Sequence, residues 1–222
     1  MTTGLEFTEE MKGYISLGET DYQRGARQGK DDGTFFMFHL TIDTDDVERF
    51  VADPRHEGSA RGWVSCEVLG GRLPVEKGIF NLFVDSEDPT LTRMLYRLYF
   101  ADGAGNPLTM SGFKRVKDDP GLDLWSDTST LYIKLFKGHV DAAGELAAEQ
   151  GPSGPVSGEI VAAGIITIYL LDFARQLTTF RTRGGSAGDQ LKALVAFGKL
   201  FLGKLWDVYG GRVEESVSTT ET

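Results

Sequence analysis

The sequence predicts a mainly β protein, an antiparallel barrel or sandwich with a C-terminal amphipathic helix. Three observations carry this reading. Short runs rich in aromatic and β-favouring residues recur along the chain, Gly-rich turns separate them, and one late stretch changes to helical spacing. The 222 residues are 41% hydrophobic and include 14 Phe, 7 Tyr and 3 Trp, which is enough apolar mass for a core and argues against disorder. All-β units of this length commonly form one domain. A single domain over residues 1–210 is therefore expected, followed by a polar, frayed tail at 211–222.

Residues 35–42 (FFMFHLTI) form a continuous apolar run, hence a buried strand. Asp45 or Asp46 then caps a short helix at 47–52, because a carboxylate accepts hydrogen bonds from the free amides of a first helical turn, and Pro54 ends it. Strands follow at 62–69, 72–75 and 78–85, separated by tight glycine turns. Residues 93–100 and 108–116 flank the turn DGAGNP at 102–107 and read as a hairpin. Further strands fall at 131–136 and 160–169, and 173–183 is a candidate for the last one. The stretch 141–158, rich in Gly, Ala, Pro and Ser, has no apolar periodicity and reads as a mobile loop inside a hairpin.

Residues 189–209 form the one convincing helix. Leu191, Leu194, Val195, Leu202 and Leu205 share a face that is expected to dock, and Asp189 suits the positive end of the dipole. Gly198 and Gly203 each weaken the helix by about 1 kcal/mol relative to Ala, and their small size permits close packing. The two halves of the chain echo one another in pattern and not in residues, which leaves an internal duplication open.

A net charge of −10, with no run of Lys or Arg longer than two, excludes a role built on phosphate neutralisation, so no nucleic-acid partner is expected. Cys66 is the sole cysteine and lies in an apparent strand, so neither an intrachain disulfide nor a cysteine metal cluster can form, and a buried inert thiol is expected. Neither a secretory leader nor a run of roughly 20 apolar residues is present. No membrane span and a cytoplasmic location are the expectation.

The chemistry-bearing candidates are sparse. Gly184–Gly188 (GGSAG) fits the pattern of a nucleophile elbow around Ser186, but no histidine follows His139 in the chain. The acidic turn carrying Asp118, Asp119, Asp123 and Asp127 reads as a structural Pro-Gly turn anchored by Trp125, and no metal is assigned to it. His39 alternates within the aromatic strand beside Phe36 and Phe38. If the barrel is hollow, His39 lines its cavity, with Phe36, Phe38, Trp125 and Arg175 as further ligand-binding candidates. If the chain is an enzyme, His39, Arg175 and Asp127 are its acid–base set. No dinucleotide or phosphate-loop motif occurs, and no cofactor is expected.

Read together, FTEEMKGYISLGETDYQRGARQG, FHLTI, KGIFNLFVD, GFKRVKDDPGLDLWSDTSTLYIKL, LDFARQLTTFR and FGKLFLGKLWDVYG resemble an all-β accessory region. That region belongs to actinobacterial cholesterol-oxidase-like fusion proteins, between a flavin oxidoreductase part and an α/β-hydrolase part. The resemblance runs from about Phe7 to Gly210, and its most specific segment is DDPGxDLWxDTxTLY. It implies a standalone copy of that region, association with enzymes of sterol or other lipid metabolism, and a calycin-like barrel holding an apolar molecule. The flavin and hydrolase motifs lie in other segments of such proteins, so no catalytic residue carries over.

The leading expectation is a non-catalytic module that binds a lipid- or sterol-like ligand or docks on a lipid-modifying enzyme. The alternatives are a small enzyme with a barrel-mouth acid/base site, and an assembly protein that self-associates or meets a partner enzyme through 189–209.

Overall fold

Among the described residues ten strands form one antiparallel sheet, and eight of them close it into a barrel. The computed structural model describes residues 2–86, 91–117, 129–140, 158–168 and 179–209, with side chains up to Phe201 in the last stretch. In chain order the first half holds β1 (Gly4–Leu17), α1 (Tyr22–Asp31), β2 (Phe35–Thr44), α2 (Val47–Ala52), β3 (Glu57–Cys66), a single 3-10 turn, β4 (Gly71–Pro74) and β5 (Lys77–Asp85). The second holds β6 (Leu91–Ala101), β7 (Pro107–Lys117), β8 (Thr130–Lys137), β9 (Ile160–Thr167), β10 (Arg181–Arg183) and α3 (Ala187–Tyr209). The strand order is β1-β2-β3-β5-β6-β7-β8-β9, and β9 returns to β1 with Gly13 opposite Ile166 and Ile15 opposite Gly164. β4 and β10 lie outside this ring as extensions on β3 and β1.

The structure thus resolves the alternative between barrel and sandwich. Closure depends on β1, whose 14 residues hydrogen-bond to β2 on one edge and to β9 on the other. That strand and α1 were not anticipated from the sequence. In β1 the apolar alternation Leu5, Phe7, Met11, Ile15 is broken by Glu9 and Gly13. α1 (YQRGARQGKD) carries no apolar stripe at all. It starts because the Asp21 carboxylate accepts from the Arg24 amide at 2.8 Å, and it docks through glycine. Gly25 lies against the Ala163 carbonyl of β9 and Gly29 against the Ile15 carbonyl of β1, so the helix backbone rests directly on the barrel wall.

Other boundaries shift for local reasons. The expected strand at 62–69 begins five residues earlier and yields at Glu67–Leu69 to the 3-10 turn. β5 contains a bulge between Asn81 and Val84, where Phe83 takes φ +47° and both Leu82 and Phe83 turn inward. The 102–107 turn forms as expected, with Asp102 Oδ1 accepting from the Ala104 and Asn106 amides. Asp46, and not Asp45, caps α2. The acidic turn from 118, nearly all of the loop 141–158 and most of 173–183 lie outside the described residues.

α3 docks, but by a different face from the one its leucines suggested. Ala193 and Phe197 are buried, with Ala196, Leu200 and Phe201 packed beside them, while Leu191, Leu194 and Val195 are 63%, 41% and 48% exposed. Phe197 decides the orientation by entering a cluster of Phe7, Phe50 and Phe180. The side chains of Leu202 and Leu205 lie outside the described set. Gly198 serves no close approach, since a Cβ there meets nothing within 4 Å.

Candidate functional site

Side chains alternate across a strand, so register decides which residues fill an eight-stranded barrel. The interior phase holds Leu5, Phe7, Glu9, Met11 and Ile15 of β1. Across it on β2 lie Ile42, Leu40, Phe38 and Phe36. Phe80 of β5, Tyr96 and Leu98 of β6, and Met110, Lys114 and Val116 of β7 continue the ring. An eight-stranded barrel is just wide enough to be filled by its side chains or to hold one small ligand.

The two ends of this barrel differ. At the end carrying Ile15, Phe36, Val64, Phe100 and Leu135, each of these side chains is 0% exposed. At the opposite end α2 and α3 sit over the opening, with Phe7 stacked on Phe180 at 4.9 Å and Phe50 6.1 Å from Phe197. There Phe7 and Met94 keep 6% exposure and Glu9 and Lys114 keep 3%, and at the first end Leu108, opposite Phe100, keeps 5%. A surface groove of about 470 Å³ runs between the two helices, its lining mixing Val47, Ala193 and Ala196 with the carboxylates of Asp46, Glu48 and Asp189.

Among the described residues, three buried polar groups meet under this cap. Lys114 Nζ is 2.6 Å from Glu9 Oε1, and the Tyr96 hydroxyl donates to Glu9 Oε2 at 2.7 Å. The ammonium also stands 5.4 Å from the centre of the Tyr96 ring. Burial, and after it the Glu9 charge, pushes the Tyr96 phenol well above its ordinary range, so it remains a donor. A buried ion pair of this kind brings little net stability over well-packed apolar residues, whereas losing one partner costs about 3–5 kcal/mol. The trio is therefore a polar feature that the core does not need for packing.

The same end holds the two non-glycine residues with positive φ among the described residues, His56 (φ +40°) and Phe83 (φ +47°). They are tied together, since His56 Nδ1 lies 2.8 Å from the Leu82 carbonyl oxygen. Residues held in sparsely populated backbone regions concentrate near functional sites.

The candidates read from the sequence separate. Phe36 and Phe38 point inward and are wholly buried. His39 does not line the interior: one residue out of phase with them, it lies on the outer wall, stacked on Trp63 at 5.5 Å and 3.6 Å from Glu10. Trp125, Asp127 and Arg175 lie outside the described residues. Ser186 is the cap of α3: its amide donates to Asp189 Oδ2 at 2.9 Å, and the Asp189 amide returns a bond to Ser186 Oγ at 3.3 Å, so its hydroxyl is engaged by the helix start and not by a histidine. Cys66 is buried, and desolvation pushes its thiol up, as an inert thiol requires. Among the described residues no group of three or more His, Cys, Asp or Glu assembles into a metal site, and no helix is long and apolar enough to cross a membrane.

Glu9, Tyr96 and Lys114 were missed, although a signal existed. Glu9 sits in phase with Leu5, Phe7 and Met11, and Lys114 in phase with Met110 and Val116, so each is a charge at a core position. Against known proteins, the chain matches no family model, and no curated protein or solved structure shows significant similarity to it.

Proposed function

We propose that the chain is a non-catalytic module that holds a lipid-like apolar molecule in the capped end of its barrel. The observation carrying this is the Glu9–Tyr96–Lys114 trio, buried in an apolar interior at the end that α2 and α3 cap. Ligand sites are mainly apolar with a few placed polar groups, and this end has that composition. The resemblance of the sequence to an accessory region of cholesterol-oxidase-like proteins supports sterols or related lipids as the ligand class and a lipid-modifying enzyme as a partner. The uncovered Leu191, Leu194 and Val195 of α3 offer a surface for such docking.

Protein purified under native conditions, then denatured and extracted, is expected to release a stoichiometric small apolar molecule detectable by mass spectrometry. An empty extract from monodisperse protein that also takes up no lipid would sink the proposal. The same trio favours a second reading, an acid–base enzyme in which Glu9, Tyr96 and Lys114 stand where His39 was expected. Incubating the extracted molecule with fresh protein separates the two, since a carrier returns it unchanged and an enzyme returns a product.

A further inference from the structure

Building on that ligand-binding reading, we infer that the trio is the head-group site for a lipid carrying one neutral oxygen, a hydroxyl or a carbonyl, and that it rejects carboxylates. An ammonium has three N–H donors. Lys114 gives one to Glu9 Oε1 at 2.6 Å, and among the described residues no other acceptor lies within hydrogen-bond reach of it. Its side chain is 4% exposed, so bulk water does not serve the remaining donors. Buried polar groups are as a rule hydrogen-bonded, and a ligand oxygen would complete this one.

The charge balance selects which oxygen. Glu9 already neutralises Lys114, and each of its oxygens already accepts one bond, from Lys114 and from Tyr96. A carboxylate head would add a second negative charge to a buried site whose single cation is matched, and a cationic head would face Lys114 itself. A neutral oxygen accepts from Lys114 without disturbing either. A hydroxyl gains one thing more. The Tyr96 phenol, its proton committed to Glu9, keeps free lone pairs that accept the hydroxyl hydrogen, which a carbonyl cannot supply. The apolar tail then runs towards Phe7, Val116 and the cap, whose side chains are apolar.

Isothermal titration of the delipidated full chain with 1-decanol, 2-decanone and decanoate at pH 7.5 tests the assignment. The expected order is decanol, about threefold tighter than decanone, with decanoate at least tenfold weaker than either. The double variant Glu9→Met/Lys114→Met is expected to lose the discrimination against decanoate and about tenfold of decanol affinity. Tyr96→Phe, which changes no charge, is expected to bring decanol down to decanone and leave decanone unchanged. Decanoate binding as tightly as decanol, or a double variant that keeps the wild-type order, overturns the head-group assignment and leaves the binding module standing. Failure of all three probes to bind folded protein refutes the binding reading itself, and the head-group site with it.

Discussion

Replacing Lys114 by methionine keeps most of the side-chain length and removes the one cation that the described residues place inside the barrel. The carboxylate of Glu9, 3% exposed, then keeps a single donor, the Tyr96 hydroxyl at 2.7 Å. Removing one partner of a buried ion pair costs about 3–5 kcal/mol, and the same loss is expected from Glu9→Met, which strands the ammonium. Either change takes a large part of a typical stability of about 5–15 kcal/mol. The double variant Glu9→Met/Lys114→Met leaves no buried charge and fills similar volume with apolar groups, so its stability is expected to return to within about 1–2 kcal/mol of the wild type. The two substitutions then couple by at least about 4 kcal/mol, above the usual range of about 0.5–3 kcal/mol for side chains in direct contact. Urea unfolding followed by tryptophan fluorescence and by circular dichroism gives all four free energies, with equal slopes as the check that one transition is being compared. Singles that each cost under about 1 kcal/mol would show that the pair is hydrated and not buried. A double variant as unstable as the two singles summed would show that the site cannot accept apolar groups. Either result refutes the reasoning.

Four further outcomes are expected. Gly198→Ala adds a Cβ to an open position of α3 and raises stability by about 1 kcal/mol, read as a higher melting temperature. Gly29→Ala drives a Cβ into the Ile15 carbonyl of β1 and lowers stability by about 1–3 kcal/mol, whereas the same change in an exposed helix would stabilise it. Glu19 is held at about 2 by Arg24 first and then by the Asp21 and Thr20 amides. Its folded value lies below the unfolded one, so its contribution is complete above about pH 4.5 and is lost as pH falls towards 2; in Glu19→Gln the acid limb of the stability curve flattens over that window. His39→Ala leaves bound-ligand content unchanged, because the ring stacks on Trp63 on the outer wall, and a lost ligand would return His39 to the site.

Much of the barrel wall was legible because its strands obey one rule at a time. Residues 93–116 alternate, turn on Asp102 and alternate again, and the hairpin formed where the pattern put it. The sequence failed where two demands overlap in one segment. β1 must close the ring, supply Glu9 to the interior and carry Gly13 where β9 approaches, and each demand removes an apolar residue from the pattern. α1 is held by glycine contacts, which hydrophobic periodicity does not detect. In α3 the more numerous leucines outweighed Phe197 on paper, although an aromatic pocket lined by Phe7, Phe50 and Phe180 was waiting for that one ring. The site was obscured because its polar groups are carboxylate, phenol and ammonium, whereas His39 is the titrating group that a sequence displays most openly. His39 is polar on a polar face, while Glu9 and Lys114 are polar on an apolar one, and only the second conflict demands an explanation.

The seam between β1 and β9 also sets how the chain must acquire its shape. Lys12 and Thr167 meet there across 155 residues. At the usual pace of synthesis, about 5–20 residues per second, the first strand waits on the order of 10–30 s for the partner that completes its second edge. Pairing across such separations is slow, and a strand with an unsatisfied edge is a template for the wrong neighbour. The hairpin of β1 and β2, with α1 laid over the open side, is the part of the molecule that must persist through that interval. Weakening α1 at Gly25 or Gly29 is therefore expected to reduce the yield of folded protein from a growing chain more than it reduces the stability of protein already folded.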